Sequence, residues 1–243
     1  LGPTGVGKTE LTKALAKSLN SISIELAYEV GIDQVIKQMR AMGVTSPLVA
    51  VGPLAIGTPE LSPMEHGYAL ASVVAGGRRL PRHDDDQPGI FIRSIKDAKK
   101  KPLYAHVPKP QEQWPVAMRS DVASEFRYMA QQVVQDGTGR RAKENGVPAM
   151  GKTGTSSGEK DVWFFGCTPD LCTIVWVGRE FPQHIGYEAT GGSIAVPIWT
   201  AFNQSVQKAY PERRSRRFPV SDDASLMPLE DGRFVPFARG KMP

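Results

Sequence analysis

GKTGTSSGEKDVWFFGCTPDLCTIVWVG, residues 151–178, holds three extended runs in quick succession: GKTGTS, VWFFGCT and LCTIVWVG. Valine, isoleucine, threonine and aromatic side chains dominate the last two, the residue types that fit a pleated and half-buried surface. Thr168-Pro169-Asp170 is a turn between them. Connections this short join antiparallel neighbours, because a parallel crossover needs a dozen residues or more. The stretch therefore predicts an antiparallel meander, and the rest of the chain has to be placed around it.

Helical periodicity surrounds the meander. Residues 9–19 and 21–30 repeat apolar side chains at helical spacing through Ala14, Leu15 and Leu19, then Ile22, Leu26 and Val30. Gly31 interrupts, and Asp33 is expected to cap a third helix that Gly43 closes. Residues 46–63 read as loop. Ser62-Pro63-Met64-Glu65 has the spacing of a capping box and starts a helix that runs to Gly76-Gly77. FIRSI (residues 91–95) and PLYAHV (residues 102–107) are short strands around Lys99-Lys100-Lys101. A helix over 121–136 should bury Val122, Phe126, Met129 and Val133, and a final helix over 195–209 should bury Ile198, Phe202 and Val206. Residues 210–243 are rich in Pro, Arg and Asp without any period and are expected to be mostly disordered. The fold class is α+β: an antiparallel sheet flanked by helices.

Composition narrows the function classes only a little. Of 243 residues, 40% are hydrophobic and 23% charged, as in ordinary globular domains. The formal net charge of +5 is too small to argue for nucleic acid, which is not expected as a partner. No stretch is long or apolar enough to cross a bilayer. Cys167 and Cys172 flank the expected hairpin turn. Two half-buried thiols are the expectation, with a cross-strand disulfide as the alternative in an oxidising compartment. His66, His83, His106 and His184 lack ligand spacing and read as surface or loop residues, so no metal site is expected. The acidic run Asp84-Asp85-Asp86 reads as a solvated loop tip.

The most conspicuous motif lies at the start. Residues 2–9, GPTGVGKT, fit G-x-x-x-x-G-K-T in full. In such a site the glycines let backbone N–H groups curl around phosphates, with Gly7 and Lys8 at the phosphates and the Thr9 hydroxyl on Mg²⁺. LGPTGVGKTELTKALA resembles the loop and first helix of Clp-type AAA+ unfoldases, which makes Mg-ATP the alternative cofactor. The context argues against it. Only Leu1 stands where a buried parallel strand should be, and no apolar run ends in Asp-Glu to hold a magnesium water shell. Residues 1–13 are expected to be a phosphate-loop-like segment without its fold, entering a helix near Thr9.

Two quieter motifs point elsewhere. Ser18-Leu19-Asn20 falls between two helical runs, where helix capping would explain it. Lys152-Thr153-Gly154-Thr155 falls on the first strand of the meander. From about Ala14 to Val206 the chain resembles the transpeptidase domain of class A penicillin-binding proteins. The segments that carry the resemblance, in the family's order, are ALAKSLNSISIELAYEVG, LAIGTPELSPMEHGYALASVVAGG, QDGTGRRA, GKTGTS, DVWFFGCTPDLCTIVWVG and TGGSIAVPIW. The resemblance implies a β-lactamase/transpeptidase-like fold over residues 14–209 and serine-type acyl transfer on D-Ala-D-Ala peptides. It implies catalytic roles for Ser18 as proton relay, Asn20 as holder of the substrate amide, and Lys152 as the positive charge of the cleft. Thr153 and Thr155 would bind the substrate carboxylate. Gly154 would leave room for a peptide laid along the strand edge, and the Thr155 N–H would be an oxyanion donor. Peptidoglycan stem peptides and β-lactams are the implied partners, and no cofactor is needed. The implied location is the extracytoplasmic face of the bacterial inner membrane, reached through an N-terminal anchor not present in this sequence.

One expected part does not precede Ser18. The family places S-x-x-K, nucleophile and base, before S-x-N. Ser157-Gly158-Glu159-Lys160 and Ser205-Val206-Gln207-Lys208 match the pattern but follow K-T-G, and both read as chance matches. The domain is therefore expected to be N-terminally incomplete and this chain alone inactive, with an ATP-binding module and a non-catalytic peptidoglycan-binding remnant as the alternatives.

Overall fold

A computed structural model describes residues 6–81, 91–228 and 234–238. The runs Gly2 to Gly5 and Asp84 to Asp86, and with them His83, lie outside the described residues.

The meander forms as the sequence implies. Strands β3 (Met150–Thr155), β4 (Val162–Thr168) and β5 (Leu171–Val177) make one antiparallel sheet in chain order. Two further antiparallel pairs stand apart: β1 (Ser94–Lys96) with β2 (Pro102–Ala105), and β6 (Ala224–Pro228) with β7 (Phe234–Ala238). In the central sheet Lys152 pairs with Phe165, Thr153 with Phe164, and Gly154 with Trp163. Strand alternation then sends Phe164 to one face and Trp163 and Phe165 to the other.

Helices cover both faces. Helix α6 (Val196–Ala209) lays Trp199 edge-on against Phe164, with ring centroids 5.3 Å apart and the Trp199 indole N–H donating to the Gly166 carbonyl at 3.2 Å. Helices α4 (Pro63–Val74) and α5 (Ser120–Gln135) cover the opposite face, where Val73 and Ala130 pack with Met150 and Cys167. Helices α1 (Val6–Lys17), α2 (Asn20–Val30) and α3 (Ile32–Ala41) precede them.

The Ser62–Glu65 capping box is present and does more than cap. Glu65 is 6% exposed, yet its carboxylate accepts hydrogen bonds from the backbone N–H groups of Thr45 and Ser46, both at 2.8 Å, from the Ser46 hydroxyl at 2.6 Å and from the Ser62 N–H at 3.1 Å. Burial alone would raise its pKa. The bonds from Ser46, Thr45 and Ser62 outweigh burial and hold the carboxyl well below the usual range. The loop after α3 is thereby tied to the start of α4.

Several expectations are corrected. Helix α5 buries Val133 as expected and packs Phe126 against the core, but Val122 is exposed, and Ala123, Arg127, Ala130 and Val134 are buried beside them. Arg127 can lie inside because its guanidinium donates to the carbonyls of Val73 and Pro219 and to the Ser124 hydroxyl. Helix α6 buries Trp199, Asn203 and Gln207, leaving Ile198 and Phe202 exposed. Gln207 donates to the Asn145 backbone and side-chain oxygens, at 2.8 and 2.9 Å. Gly31, not Asp33, is the residue before α3. A 3₁₀ turn, Gly52–Ile56, interrupts the loop over 46–63. Cys167 and Cys172 are directly opposed across β4 and β5 and form a disulfide. The stretch expected to be disordered carries order: Arg213 and Arg216 bridge to Asp170, Ser221 donates to Ser120, and β7 packs beside α5.

Candidate active site

The elements bring together two motifs that are far apart in sequence. Helix α1 ends as Leu19 N–H donates to the Ala14 carbonyl at 2.9 Å, which turns Ser18 into the left-handed region at φ +58°. The turn exposes the Ser18 hydroxyl instead of spending it on the next helix. The residue before α2 is Leu19, with no side-chain cap, so neither Ser18 nor Asn20 caps in the way their residue types allow. Lys152, on β3, donates from Nζ to Ser18 Oγ at 2.7 Å and to its neighbour's carbonyl, Thr153 O, at 2.8 Å. Burial lowers the Lys152 pKa to about 8.

The helix carrying Ser18 is bolted to the segment after α5. Thr138 N–H donates to the Ala16 carbonyl at 3.1 Å, and Lys17 Nζ donates to the Asp136 carbonyl at 2.9 Å. Gly137 permits this approach, since a Cβ there would stand 2.4 Å from Ala16 O. The Thr138 and Thr153 hydroxyls share a hydrogen bond of 2.5 Å. On the far side of β3, the Gly191 N–H donates to Thr155 Oγ1 at 3.1 Å; a Cβ on Gly191 would meet Trp163 O at 2.4 Å. S-x-N and K-T-G are thus held by two glycine-mediated contacts, through residues 137–138 and 191.

Between these walls lies a cleft of about 1340 Å³, lined by Ser18, Asn20, Lys152, Thr153, Gly154 and Thr155 together. The three residues expected from the sequence as catalytic and the three expected as substrate-binding all line it. Among the described residues β3 pairs only with β4, so its outer edge is free for an added strand. Gly154 is needed by its neighbour as well: a Cβ there would press the Trp163 Cβ at 3.2 Å.

Other residues of the cleft were not expected. His66 of α4 packs at a tilt against Phe165, 4.4 Å between centroids, so it is a cleft residue and not a surface or loop histidine. Burial pushes its pKa down, partly offset by Glu65. Thr138, Arg140, Arg141 and Gly192 line the cleft from QDGTGRRA and TGGS, glycine-rich stretches whose glycines were the available signal. The two chance S-x-x-K matches stay apart from it. Ser157 is exposed in the turn between β3 and β4, and Ser205, exposed on α6, donates to the Ala201 carbonyl.

The phosphate-loop reading finds no support. Gly7, Lys8 and Thr9 lie within α1, which starts at Val6, earlier than expected. Every strand pair among the described residues is antiparallel, whereas a nucleotide site of this kind is built on a parallel sheet.

Comparison with known proteins agrees with the geometry. The family model described as penicillin binding protein transpeptidase domain matches residues 3–204. A penicillin-binding protein 1A of Neisseria meningitidis is 34% identical over 199 residues, covering 81% of this chain and 24% of that relative. One from Rickettsia conorii is 28% identical over 256 residues, covering 95% of this chain and 31% of the relative. The crystal structure of penicillin-binding protein 1A from Haemophilus influenzae superposes with a TM-score of 0.82 at 22% identity, covering 96% of this chain and 40% of that one. The chain spans about a third or less of the curated relatives it matches.

Proposed function

The chain belongs to the penicillin-binding protein transpeptidase family, and on that premise we propose that its cleft receives the D-Ala-D-Ala end of a peptidoglycan stem peptide for acyl transfer. The Lys152–Ser18 hydrogen bond carries the reading. A lysine with a pKa of about 8 supplies a cation near neutral pH that can also pass a proton on. The peptide lies along the free edge of β3. Its terminal carboxylate meets Lys152 and the Thr153 and Thr155 hydroxyls, and Asn20 holds an amide of its backbone.

In the reaction a serine oxygen adds to the D-Ala-D-Ala carbonyl, the C–N bond breaks, and the departing D-Ala amine takes a proton. The proton comes from the attacking serine's hydroxyl by way of its base, and Ser18, oriented by the Lys152 ammonium, relays it to the amine. The Thr155 N–H stabilises the oxyanion. An acceptor amine then displaces the serine and the proton returns. The balance needs no cofactor. The nucleophile and its base are the family's S-x-x-K pair. Acylation is therefore proposed for a protein that carries that pair, and substrate holding for the residues here. β-Lactams, which present a strained amide beside a carboxylate, would occupy the same cleft. The site of action is the extracytoplasmic face of the bacterial inner membrane; no helix among the described residues is long and apolar enough to cross a membrane.

A fluorescent acyl-D-Ala-D-Ala peptide tests the reading. Saturable binding displaced by benzylpenicillin is expected. Absence of binding at millimolar protein would overturn it.

A further inference from the structure

Arg140 and Arg141 open the 3₁₀ turn Arg140–Asn145 and both line the cleft. Both are exposed, and neither guanidinium has a hydrogen-bond or ion-pair partner among the described residues. Other arginines are engaged: Arg78 donates to the Glu112 and Trp114 carbonyls, Arg127 to three acceptors, and Arg213 and Arg216 bridge to Asp170. The turn that presents the pair is fixed in place. Residues 137–139 just before it are bonded to the end of α1 and to Thr153, and Ala142 within it is fully buried. Two free guanidiniums therefore stand on a rigid platform shared with Ser18 and K-T-G. Two acidic residues line the cleft, Glu60 and Asp161; Asp161 accepts from the Trp176 indole N–H at 2.9 Å and from the Ser156 hydroxyl. Planar guanidinium forks favour carboxylates, which they bind through paired N–H donors.

We propose that Arg140 and Arg141 form a second anion subsite, which reads a carboxylate of the bound peptide other than its terminal one. The inference rests on the proposed peptide-binding role of the cleft and adds a specificity rule to it. Lys152, Thr153 and Thr155 take the chain end. The arginine pair takes an internal acidic group, so a peptide with an amide at that point is held less tightly.

Two fluorescent acyl-D-Ala-D-Ala peptides decide the matter, identical except that one carries a glutamyl and the other a glutaminyl side chain upstream of the D-Ala-D-Ala. Titrated into the full chain at low salt, the acid should bind roughly threefold to tenfold more tightly, an advantage that shrinks as salt screens it. In R140Q/R141Q the ratio should fall to near one, and R140K/R141K should restore part of it. Both side chains are exposed, so unchanged melting of the variants confirms that the fold is intact. A ratio near one in the unsubstituted chain, or a ratio that survives R140Q/R141Q, overturns the subsite and leaves the peptide-binding reading standing. Failure of both peptides to bind overturns the two together.

Discussion

Lys152 Nζ donates to Ser18 Oγ at 2.7 Å although 134 residues separate them in the chain. That bond joins the turn after the first helix to the first strand of the sheet. It also sets a titration that can be followed. Burial holds Lys152 to a pKa of about 8, below the ordinary 10.5. Below pH 8 the lysine is charged and can attract a carboxylate. Peptide affinity should therefore be flat from pH 6 to 7 and fall as pH rises through about 8, and Lys152→Arg should move the fall beyond the measurable range. The stability consequence has the opposite sign. Between about pH 8 and 10.5 the unfolded chain holds a proton that the folded chain has lost, so this group makes folding more favourable as pH rises through that window. Denaturation of the unsubstituted chain against Lys152→Met, compared at pH 7 and 9.5, checks it.

Glu65 should be the acid-sensitive clasp of the fold. Its folded pKa lies well below the unfolded one, so its contribution is complete above about pH 4.5 and is lost as pH falls below that. Glu65→Ala strands the N–H groups of Thr45 and Ser46 and should cost about 2–4 kcal/mol at pH 7. Urea melts at pH 7 and pH 3.5 measure both effects. The variant's deficit should narrow at the lower pH, and a deficit independent of pH would contradict the assignment.

Gly166 leaves no space for a methyl group. A Cβ there would lie 2.5 Å from Phe164 and 2.6 Å from the Trp199 indole nitrogen, both side chains fully buried. Gly166→Ala should destabilise by about 1–3 kcal/mol through overpacking. Gly57→Ala is the control for backbone strain alone, because nothing lies within 4 Å of a Cβ there although φ is +91°. Thermal melting should place Gly166→Ala below it.

Neither Ser205 nor Ser157, the serines in S-x-x-K matches, should carry the covalent label of fluorescent penicillin, because both stand outside the cleft. Labelling that disappears in Ser205→Ala would reverse that assignment, and the gel after denaturation reads the outcome directly.

The sequence was most informative where residue type and chemistry coincide. Ser18, Asn20 and Lys152 through Thr155 stand in short motifs whose order can be read along the chain, and all of them meet in the cleft. The meander was legible for a similar reason, since short turns leave antiparallel pairing as the only arrangement. The buried faces of α5 and α6 were legible only in part: Val133 lies inside as its spacing implies, but polar residues share both faces. Arg127, Asn203 and Gln207 go inside because particular carbonyls and side-chain oxygens receive them, and no apolar period announces such partners. The disulfide depended on register: only when Phe165 opposes Ile174 does Cys167 oppose Cys172. The β6–β7 hairpin escaped notice because it borrows its apolar support from α5. His66 reads as a surface or loop residue because a single histidine on a helix carries no sign of the aromatic wall it meets.

The central claim is that Lys152, held by Ser18, reads the terminal carboxylate of a D-Ala-D-Ala peptide. The most direct measurement compares the affinity of this chain for that peptide as the free acid and as the C-terminal amide, before and after Lys152→Ala. The account predicts tighter binding of the acid by roughly tenfold or more, the worth of a charge-assisted hydrogen bond, and loss of that preference in the variant. Equal binding of acid and amide by the unsubstituted chain, or a preference that persists without Lys152, would contradict it.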